Sequence, residues 1–583
     1  MNLFNQKMSV DHDYIHNELH EQAIALGILP AFEYGEKSLE APESTLSAII
    51  EVLEGCDNNT VALLEGSPWT AEVLLEDGKS VAPAGAPLPS GYHTDIEGRF
   101  IIVAPEKLPI DTDSSQFGFM SQIYALRSSE SWGIGDFVDL KNFVAGVDAD
   151  FVLINPIHAT RLYPKPQDSP YYPSSRKFIN PLYIRPEIEG CVKPSNDTEL
   201  LDRASVWTVK EAALYEQFKS FDVSLLDDFI AAGGEELANF AAFQAGHSKF
   251  RDMTFHVYLQ YLADKQFKDV ESEGKLIADL AVGVCPTGID VASHPDAFVH
   301  SFGIGAPPDF YNQHGQTWGM PPLNPGYMRK TGYKYFREII QGALHGASGL
   351  RIDHIIGMFR MWWVPEGAKA TEGAYVLYDH DIIFNILILE AMRADAIIIG
   401  EDLGIVPDFI EAYLDERNIL GTDLMWYRHG YFLNLRNKAL VSATTHDMPP
   451  SLGFMHGEHI RVRSELGLLD TSVDSEFEEL NRENGYLIDE LKFTGDLSAD
   501  YDDDFDVIVA MYRGTVERRS MFVCLPIADA VGQVETQNQP GTVDIYPNWR
   551  VPLRDRHGKN ILLDDLFANP EYIKITNAIN AVR

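Results

Sequence analysis

Beyond residue 118, short apolar runs that are typical of buried strands alternate with segments of helical periodicity. A chain that alternates strand and helix in this way is expected to form a parallel sheet with helical crossovers. Eight such strands predict an α/β fold organised as a (β/α)8 TIM barrel. The predicted strands are residues 121–126, 151–156, 275–280, 347–354, 396–402, 422–426, 440–447 and 521–525.

The first part of the chain has a different texture. Apolar spacing predicts helices at residues 12–27 and 42–53, and beyond Thr60 short apolar runs separated by Gly, Pro and Asp-Gly turns predict strands. The predicted domains are residues 1–110, a helical lead with a small N-terminal β-sandwich-like domain, and residues 111–583, the barrel, with helical insertions near 186–250 and 455–515.

Charge and cysteine content exclude several classes of function. The chain has 583 residues and a net charge of −41, which argues against nucleic acid or an anionic membrane as a partner, because both require a basic surface. Its four cysteines are far apart and form no CxxC pair, so neither a disulfide framework nor a zinc site is expected. No signal pattern or run of 18 apolar residues is present, so we predict a cytoplasmic protein without a membrane span. The oligomeric state stays open.

The predicted fourth barrel strand ends in charged residues. Side chains alternate along a strand, so Arg351 and Asp353 are expected to share one face. The arginine favours the ionised aspartate, and a carboxylate held in a pocket can attack carbon. A purely structural ion pair is the alternative for this segment taken alone.

Four of the predicted strands end at an acidic residue: Asp279, Asp353, Glu401 and Asp447. In a barrel the carboxyl ends of the strands share one mouth, where catalytic groups lie. Carboxylates around one pocket indicate glycoside chemistry, with one acid attacking the anomeric carbon and another protonating the leaving oxygen. Asp353 suits the nucleophile, because Arg351 supports its charge. Glu401 follows an isoleucine run, and desolvation there is expected to raise its pKa, as an acid catalyst requires. Asp447, next to His446, is left for the third role.

The predicted loops carry aromatic and polar residues that suit sugar binding. One loop runs from Pro307 to Trp318 and another from Asp168 to Pro181. Aromatic faces stack on sugar C–H surfaces, while Asn, Gln, Asp and His bond hydroxyls. Trp362 and Trp363 fit either stacking or buried packing. Two Gly-Ile-Gly sequences, at residues 133–135 and 303–305, complete no dinucleotide fingerprint, and we interpret both as turns.

Several motifs, in this order along the chain, resemble those of the 4-α-glucanotransferases, glycoside hydrolase family 77, also called amylomaltases or disproportionating enzymes. The resemblance covers roughly residues 118–560, and the N-terminal part is similar to the extension of the longer bacterial members. The motifs are residues 131–137, the two loops just described, 349–354, 400–404, 444–447, 540–542 and 548–550.

This resemblance implies a retaining double displacement. Asp353 would form a covalent glucosyl-enzyme, Glu401 would act as acid and then base, and Asp447 would stabilise the transition state. The remaining site residues implied are Arg351 and His446 in support, and His354, Asp279, Asp309, Gln316, Trp318 and Tyr171 as glucan ligands. The 4-hydroxyl of another glucan replaces water as acceptor.

The chain departs from the family pattern next to two catalytic acids. Many members continue the nucleophile motif with Phe-Arg-Gly, where this chain has Ile355-Ile356-Gly357. Many have Asn after the His-Asp pair, where this chain has Met448. Both changes concern the preferred acceptor and chain length more than the reaction.

The sequence therefore predicts a 4-α-glucanotransferase acting on maltooligosaccharides, with no cofactor and no metal. An α-glucan hydrolase of the same barrel type is the first alternative. A catalytically silent glucan-binding protein is the second, and the intact carboxylate trio argues against it.

Overall fold

The computed structural model describes residues 17–34, 37–56, 58–112, 114–308, 314–427, 434–469, 471–518 and 520–583. The chain forms two compact units. The first unit comprises residues 1–110, 171–177 and 280–421, and the second comprises residues 111–170, 178–279 and 422–583. The predicted division into domains at residues 110 and 111 stays a prediction.

Eight strands of the described chain form a single parallel sheet. In chain order they are Gln116–Ser121, Phe151–Ile154, Leu276–Leu280, Gly349–Ile352, Ile397–Gly400, Gly421–Leu424, Ala439–Ser442 and Phe522–Pro526. Each strand pairs with the next in this order except the fifth with the sixth, and the first also pairs with the eighth. Between the fifth and the sixth, a single parallel bridge joins Ile399 to Leu420. The (β/α)8 barrel predicted from the sequence is confirmed.

The remaining elements are given by their bounds. The other strands are Ile28–Leu29, Ala31–Tyr34, Lys37–Glu40, Thr60–Leu64, Val73–Leu74, Val81–Ala82, Gly91–Asp95, Phe100–Ala104, His158–Ala159, Ser175–Ile179, Phe302–Ala306, Gln316–Thr317, Arg360–Pro365 and Ala374–Leu377. The α-helices are Glu18–Ala25, Glu43–Leu53, Phe137–Gly146, Arg203–Phe218, Asp227–His247, Met253–Glu271, Ile289–Ser293, Pro325–Lys330, Lys334–Leu344, His380–Arg393, Asp408–Glu416, Ser451–Met455, Glu458–Glu465, Val473–Thr494, Asp504–Arg518, Ile527–Ala530, Leu563–Leu566 and Pro570–Asn580. None of the described helices is both long and apolar enough to span a membrane.

The predicted first barrel strand is wrong in position. The strand ends at Ser121, where the prediction placed its start, and Ile123–Ala125 form a 3-10 turn. The backbone N–H of Ile123 donates to the Asn155 side-chain oxygen over 2.8 Å, which takes it out of the ladder. The apolar run of this strand is short and follows the polar residues 111–116, so its pattern gives little strand signal.

The N-terminal helices pack into the core of the first unit. The sequence predicted both, and the second, Glu43–Leu53, buries Leu46 and Ile49 completely. Strand Ile28–Leu29 pairs antiparallel with Ala374–Leu377 and forms one edge of the sheet that also contains Arg360–Pro365. Ile28, Leu46 and Ile49 belong to one buried apolar cluster that also contains Trp363 and Val376. Burial of this apolar surface therefore stabilises the packing of the N-terminal lead against the rest of the first unit.

Residues 60–104 form one five-stranded sheet. Its strands Thr60–Leu64 and Phe100–Ala104 run parallel in register, and both contact helix His380–Arg393. The Asn385 side chain on that helix donates to the carbonyl oxygens of Leu63 and Ile102, over 2.8 and 3.1 Å. This helix covers the N-terminal sheet and satisfies two of its backbone acceptors.

Candidate active site

An ion pair lies at the carboxyl end of barrel strand Gly349–Ile352. Arg351 Nη1 lies 3.2 Å from Asp353 Oδ1, and Arg351 is 5% exposed while Asp353 is half-buried. The Asp353 N–H donates to the carbonyl oxygen of Leu280, at the end of the third barrel strand, over 3.1 Å. The predicted shared face of Arg351 and Asp353 is confirmed. The positive charge of Arg351 favours the ionised carboxylate of Asp353.

The next barrel strand brings Glu401 beside this pair. Ile352 lies opposite Gly400 in register, and the Glu401 N–H donates to the Ile352 carbonyl over 2.9 Å. His354 adopts a left-handed backbone conformation, with φ of 52°, which is rare for a residue with a side chain. In this conformation its N–H donates to Glu401 Oε2 over 2.9 Å. The Leu403 N–H donates to Oε1 over 2.9 Å, so both carboxyl oxygens are held.

Burial shifts the pKa values of Glu401 and His354 in opposite directions. Desolvation raises the pKa of Glu401, although the Arg351 charge and the two N–H donors oppose the shift. The predicted direction of this pKa shift agrees with the structure. Burial, aided by the positive charge of Arg360, lowers the pKa of His354 to about 4, so this imidazole is neutral near pH 7. A carboxyl whose pKa is raised, next to a carboxylate paired with an arginine, is the combination that a general acid and a nucleophile require.

A short hairpin positions Gln316 and Trp318. Strands Phe302–Ala306 and Gln316–Thr317 pair antiparallel, and a Cβ on Gly305 would lie 2.0 Å from the Gln316 carbonyl oxygen. The prediction of a turn at residues 303–305 is therefore wrong, because the glycines serve close strand pairing. Trp318 Nε1 donates to Gln316 Oε1 over 3.3 Å.

The Trp318 indole contacts the ring of His354, the residue that follows Asp353. The two ring centroids are 5.2 Å apart and the planes are 80° apart. Trp318 is half-buried, which leaves part of its surface accessible to a sugar. Tyr171 is also half-buried in the first unit. Asp309, another predicted glucan ligand, lies outside the described residues.

A pocket of about 740 Å³, including its open mouth, adjoins Asp353 in the first unit. Asp353 and His354 form part of its wall, and the rest is mainly apolar.

Trp362 and Trp363 are 3% and 0% exposed. Packing, the second of the two interpretations of this tryptophan pair, is therefore the correct one.

The second unit carries Asp447 and His446 directly after barrel strand Ala439–Ser442. His446 Nε2 lies 3.6 Å from Asp447 Oδ1, and the same oxygen accepts from Asn538 Nδ2 over 2.7 Å. The side chain of Asp447 is 47% exposed, so it remains accessible to a ligand. The His446 ring packs against Trp549 with centroids 5.4 Å apart.

Asp279 is the next-to-last residue of barrel strand Leu276–Leu280 and belongs to the second unit. It is 4% exposed, which makes it the most enclosed of the four strand-end acids. The structure thus brings together Arg351, Asp353, His354, Glu401, Gln316 and Trp318 in the first unit, and His446 with Asp447 in the second. The meeting of these groups around one sugar ring stays a prediction.

Sequence reasoning missed two residues that contact the predicted site. Asn538 binds Asp447 directly, and its position between Gln537 and Gln539 gave no periodic or charge signal. Arg360 lies close enough to His354 to lower its pKa, and its guanidinium donates to the Ile405 carbonyl over 3.3 Å in the loop after Glu401. An arginine within an apolar strand was the available signal for this residue.

Comparisons with known proteins agree with this geometry. The family model described as 4-alpha-glucanotransferase matches residues 121–253 and 244–557. The chain belongs to this family, glycoside hydrolase family 77. A 4-alpha-glucanotransferase of Mycobacterium tuberculosis is 34% identical to the chain, over 91% of the chain and 87% of the relative. The matched residues agree with the extent predicted from the motifs.

Two solved structures of amylomaltases resemble the chain. The crystal structure of amylomaltase from Corynebacterium glutamicum matches with a TM-score of 0.88 and 28% identity, over 96% of this chain and 99% of that one. Amylomaltase from Streptococcus agalactiae in complex with acarbose matches with a TM-score of 0.66 and 18% identity, over 80% of this chain and 99% of that one, which is a likeness of fold. The family and these relatives identify the activity as 4-α-glucan transfer and do not favour the hydrolase or the silent binding protein.

Proposed function

We propose that the chain cuts α-1,4 bonds of maltooligosaccharides and rejoins the donor segment to another glucan through a covalent intermediate on Asp353. The observation that carries this proposal is the arrangement at the ends of two neighbouring barrel strands. There Glu401 is held by two backbone N–H groups beside the Arg351–Asp353 ion pair.

In the first half-reaction the Asp353 carboxylate attacks the anomeric carbon, and the bond from that carbon to the leaving 4-oxygen breaks. Glu401 gives its proton to the leaving oxygen. In the second half-reaction the 4-hydroxyl of the acceptor attacks the glucosyl ester, Glu401 takes the acceptor's proton, and Asp353 leaves as carboxylate. Two displacements at one carbon retain its configuration.

The remaining predicted residues have supporting roles in this proposal. Asp447 stabilises the transition state, with His446 and Arg351 as support. The glucan is bound by His354, Asp279, Asp309, Gln316, Trp318 and Tyr171. The half-buried Trp318 face and the accessible carboxylate of Asp447 support this assignment, because sugars are bound by aromatic stacking and by charge-assisted hydrogen bonds to hydroxyls.

We also propose that the protein acts in the cytoplasm, which its four scattered cysteines favour.

Incubation with maltotriose tests the proposed reaction. We expect a ladder of longer maltooligosaccharides together with glucose, measured by chromatography over time. An accumulation of shorter sugars alone would instead identify a hydrolase. The matched control is Asp353→Asn, which preserves side-chain size and is expected to abolish both outcomes, whereas a protein that only binds glucan would be unaffected in binding.

A further inference from the structure

The segment that follows the seventh barrel strand is fastened at both ends. We define the Asp447 segment as residues 443–451, from Ala443 to Ser451. Both end residues are completely buried, while Asp447 between them is accessible. An accessible carboxylate on a loop needs fixed anchors if it is to keep a defined position.

Tyr512 anchors the start of the Asp447 segment. This residue lies on helix Asp504–Arg518 and is 0% exposed. Its phenol oxygen accepts the Ala443 N–H over 3.2 Å, at the first residue beyond the strand. The same hydroxyl donates to Asp529 Oδ2 over 2.6 Å.

Asp529 anchors the other end of the segment. It lies on the short helix Ile527–Ala530, which follows the eighth barrel strand, and is 1% exposed. Its Oδ1 accepts the Ser451 N–H over 2.5 Å, and its Oδ2 accepts the Ser451 hydroxyl over 2.7 Å. Burial raises the pKa of Asp529, and hydrogen bonds from Tyr512 and Ser451 oppose that shift, so this carboxylate depends on its donors.

We infer that Tyr512 and Asp529 are positioning residues that hold Asp447 in place for the transfer reaction. Their mutual hydrogen bond joins the two anchors into one clamp across the nine residues from 443 to 451. Neither side chain reaches the accessible carboxylate itself, so their effect passes through the backbone of the segment. This inference rests on the proposed role of Asp447.

Tyr512→Phe is the sharpest test, because it keeps the ring and removes only the hydroxyl. The Ala443 N–H then loses its buried acceptor, and Asp529 loses a donor. With maltotriose as substrate we expect kcat to fall by about tenfold or more while KM changes by less than about threefold, since displacement of a group that acts in the transition state lowers kcat. Ser451→Ala removes one hydroxyl from the other anchor and should lower kcat in the same direction, by a smaller factor.

Tyr335→Phe is the matched control. Tyr335 is 2% exposed and donates to the buried Asp290 Oδ2 over 2.8 Å, and both residues belong to the first unit. This variant also loses a buried tyrosine–aspartate hydrogen bond, but it should keep the kcat of the unchanged protein. Equal loss of kcat in both variants would overturn the inference, because it would show only general destabilisation.

Double variants separate this inference from the proposed function. In an Asp447→Ala background, Tyr512→Phe should add little further loss of kcat, because both changes act on one group. A folded Tyr512→Phe protein with kcat within about twofold of the unchanged protein would overturn the inference. If Tyr512→Phe does not fold, unchanged kcat in Ser451→Ala overturns it equally. Full activity of Asp447→Ala would instead contradict the proposed role of Asp447.

Discussion

The backbone N–H of His354 donates to Oε2 of Glu401 over 2.9 Å. This hydrogen bond joins the residue next to the proposed nucleophile, Asp353, to the proposed acid, Glu401, which follows the neighbouring strand. It depends on the left-handed conformation of His354, which turns the chain immediately after Asp353. The position of the proposed acid is therefore set partly by backbone geometry in the nucleophile segment.

The conformation of His354 predicts an unusual order of stability among its variants. Glycine adopts positive φ without penalty, whereas alanine pays about 1 kcal/mol there. Because both variants lose the ring, His354→Gly should have a free energy of unfolding about 1 kcal/mol higher than that of His354→Ala. Urea unfolding measures the difference. Equal or reversed stabilities would show that the backbone at residue 354 is not strained.

The raised pKa of Glu401 predicts where activity is lost as the pH rises, which is the basic limb of the pH–activity profile. Glu401 must carry a proton to act as acid, and burial raises its pKa, so activity should fall at a pH above the ordinary glutamate value of about 4.3. The negative charge of Asp402 contributes to this shift. Asp402→Asn should therefore move the basic limb of kcat/KM to lower pH.

The control for this pH prediction is Asp77→Asn, which removes a charge from a turn in the N-terminal sheet. Asp77→Asn should leave the pH of the basic limb of kcat/KM unchanged. A limb that moves to higher pH in Asp402→Asn would contradict the assignment of Glu401 as the group that titrates.

Trp318 is expected to contribute binding rather than stability. Its indole is half-buried against His354 and offers a face for a sugar ring. Trp318→Ala should raise KM for maltotriose by about tenfold, which corresponds to about 1.4 kcal/mol and lies within the range of an aromatic contact. The melting temperature should change little.

Phe493→Ala is the control for Trp318→Ala, because Phe493 is 91% exposed and lies on a helix of the second unit. It should leave KM unchanged. An unchanged KM in Trp318→Ala would remove this tryptophan from the proposed glucan ligands.

The N-terminal helices are predicted to be necessary for the stability of the first unit. Ile49 is 0% exposed in the cluster that also contains Trp363, so Ile49→Ala should lower the free energy of unfolding by about 2–5 kcal/mol. The exposed Ile96 provides the control, since Ile96→Ala should change it by less than about 0.5 kcal/mol. Equal effects of the two substitutions would mean that the N-terminal lead does not share the core of the first unit.

The barrel and the Arg351–Asp353 pair were predictable because each follows from a local rule. Buried parallel strands are apolar runs of characteristic length, and alternation along a strand fixes which side chains share a face. The first strand was misplaced because its apolar run is short, contains Gly118 and follows a polar stretch, so only pairing partners distant in sequence locate it.

The supports of the site were not predictable in the same way. Tyr512 lies in a helix that begins with acidic residues and carries no periodic signal for this contact, and its hydrogen bond with Ala443 spans 69 residues. The hydrogen bonds from Asn538 to Asp447 and from Arg360 to the Ile405 carbonyl likewise span 91 and 45 residues. Hydrogen bonds of this kind depend on tertiary placement, which neither propensity nor periodicity encodes. The roles of the predicted glucan ligands came from family resemblance rather than from spacing.

The covalent intermediate provides the most direct test of the proposed mechanism. A glucosyl fluoride donor needs no proton for its leaving group, so Glu401→Gln should still form the ester but lack the base that resolves it. Mass spectrometry of the trapped protein should show one glucosyl unit on the peptide that contains Asp353, and none when Asp353→Asn is added. A glucosyl unit on another carboxylate, or continued transfer in the Asp353→Asn protein, would contradict the assignment of Asp353 as nucleophile.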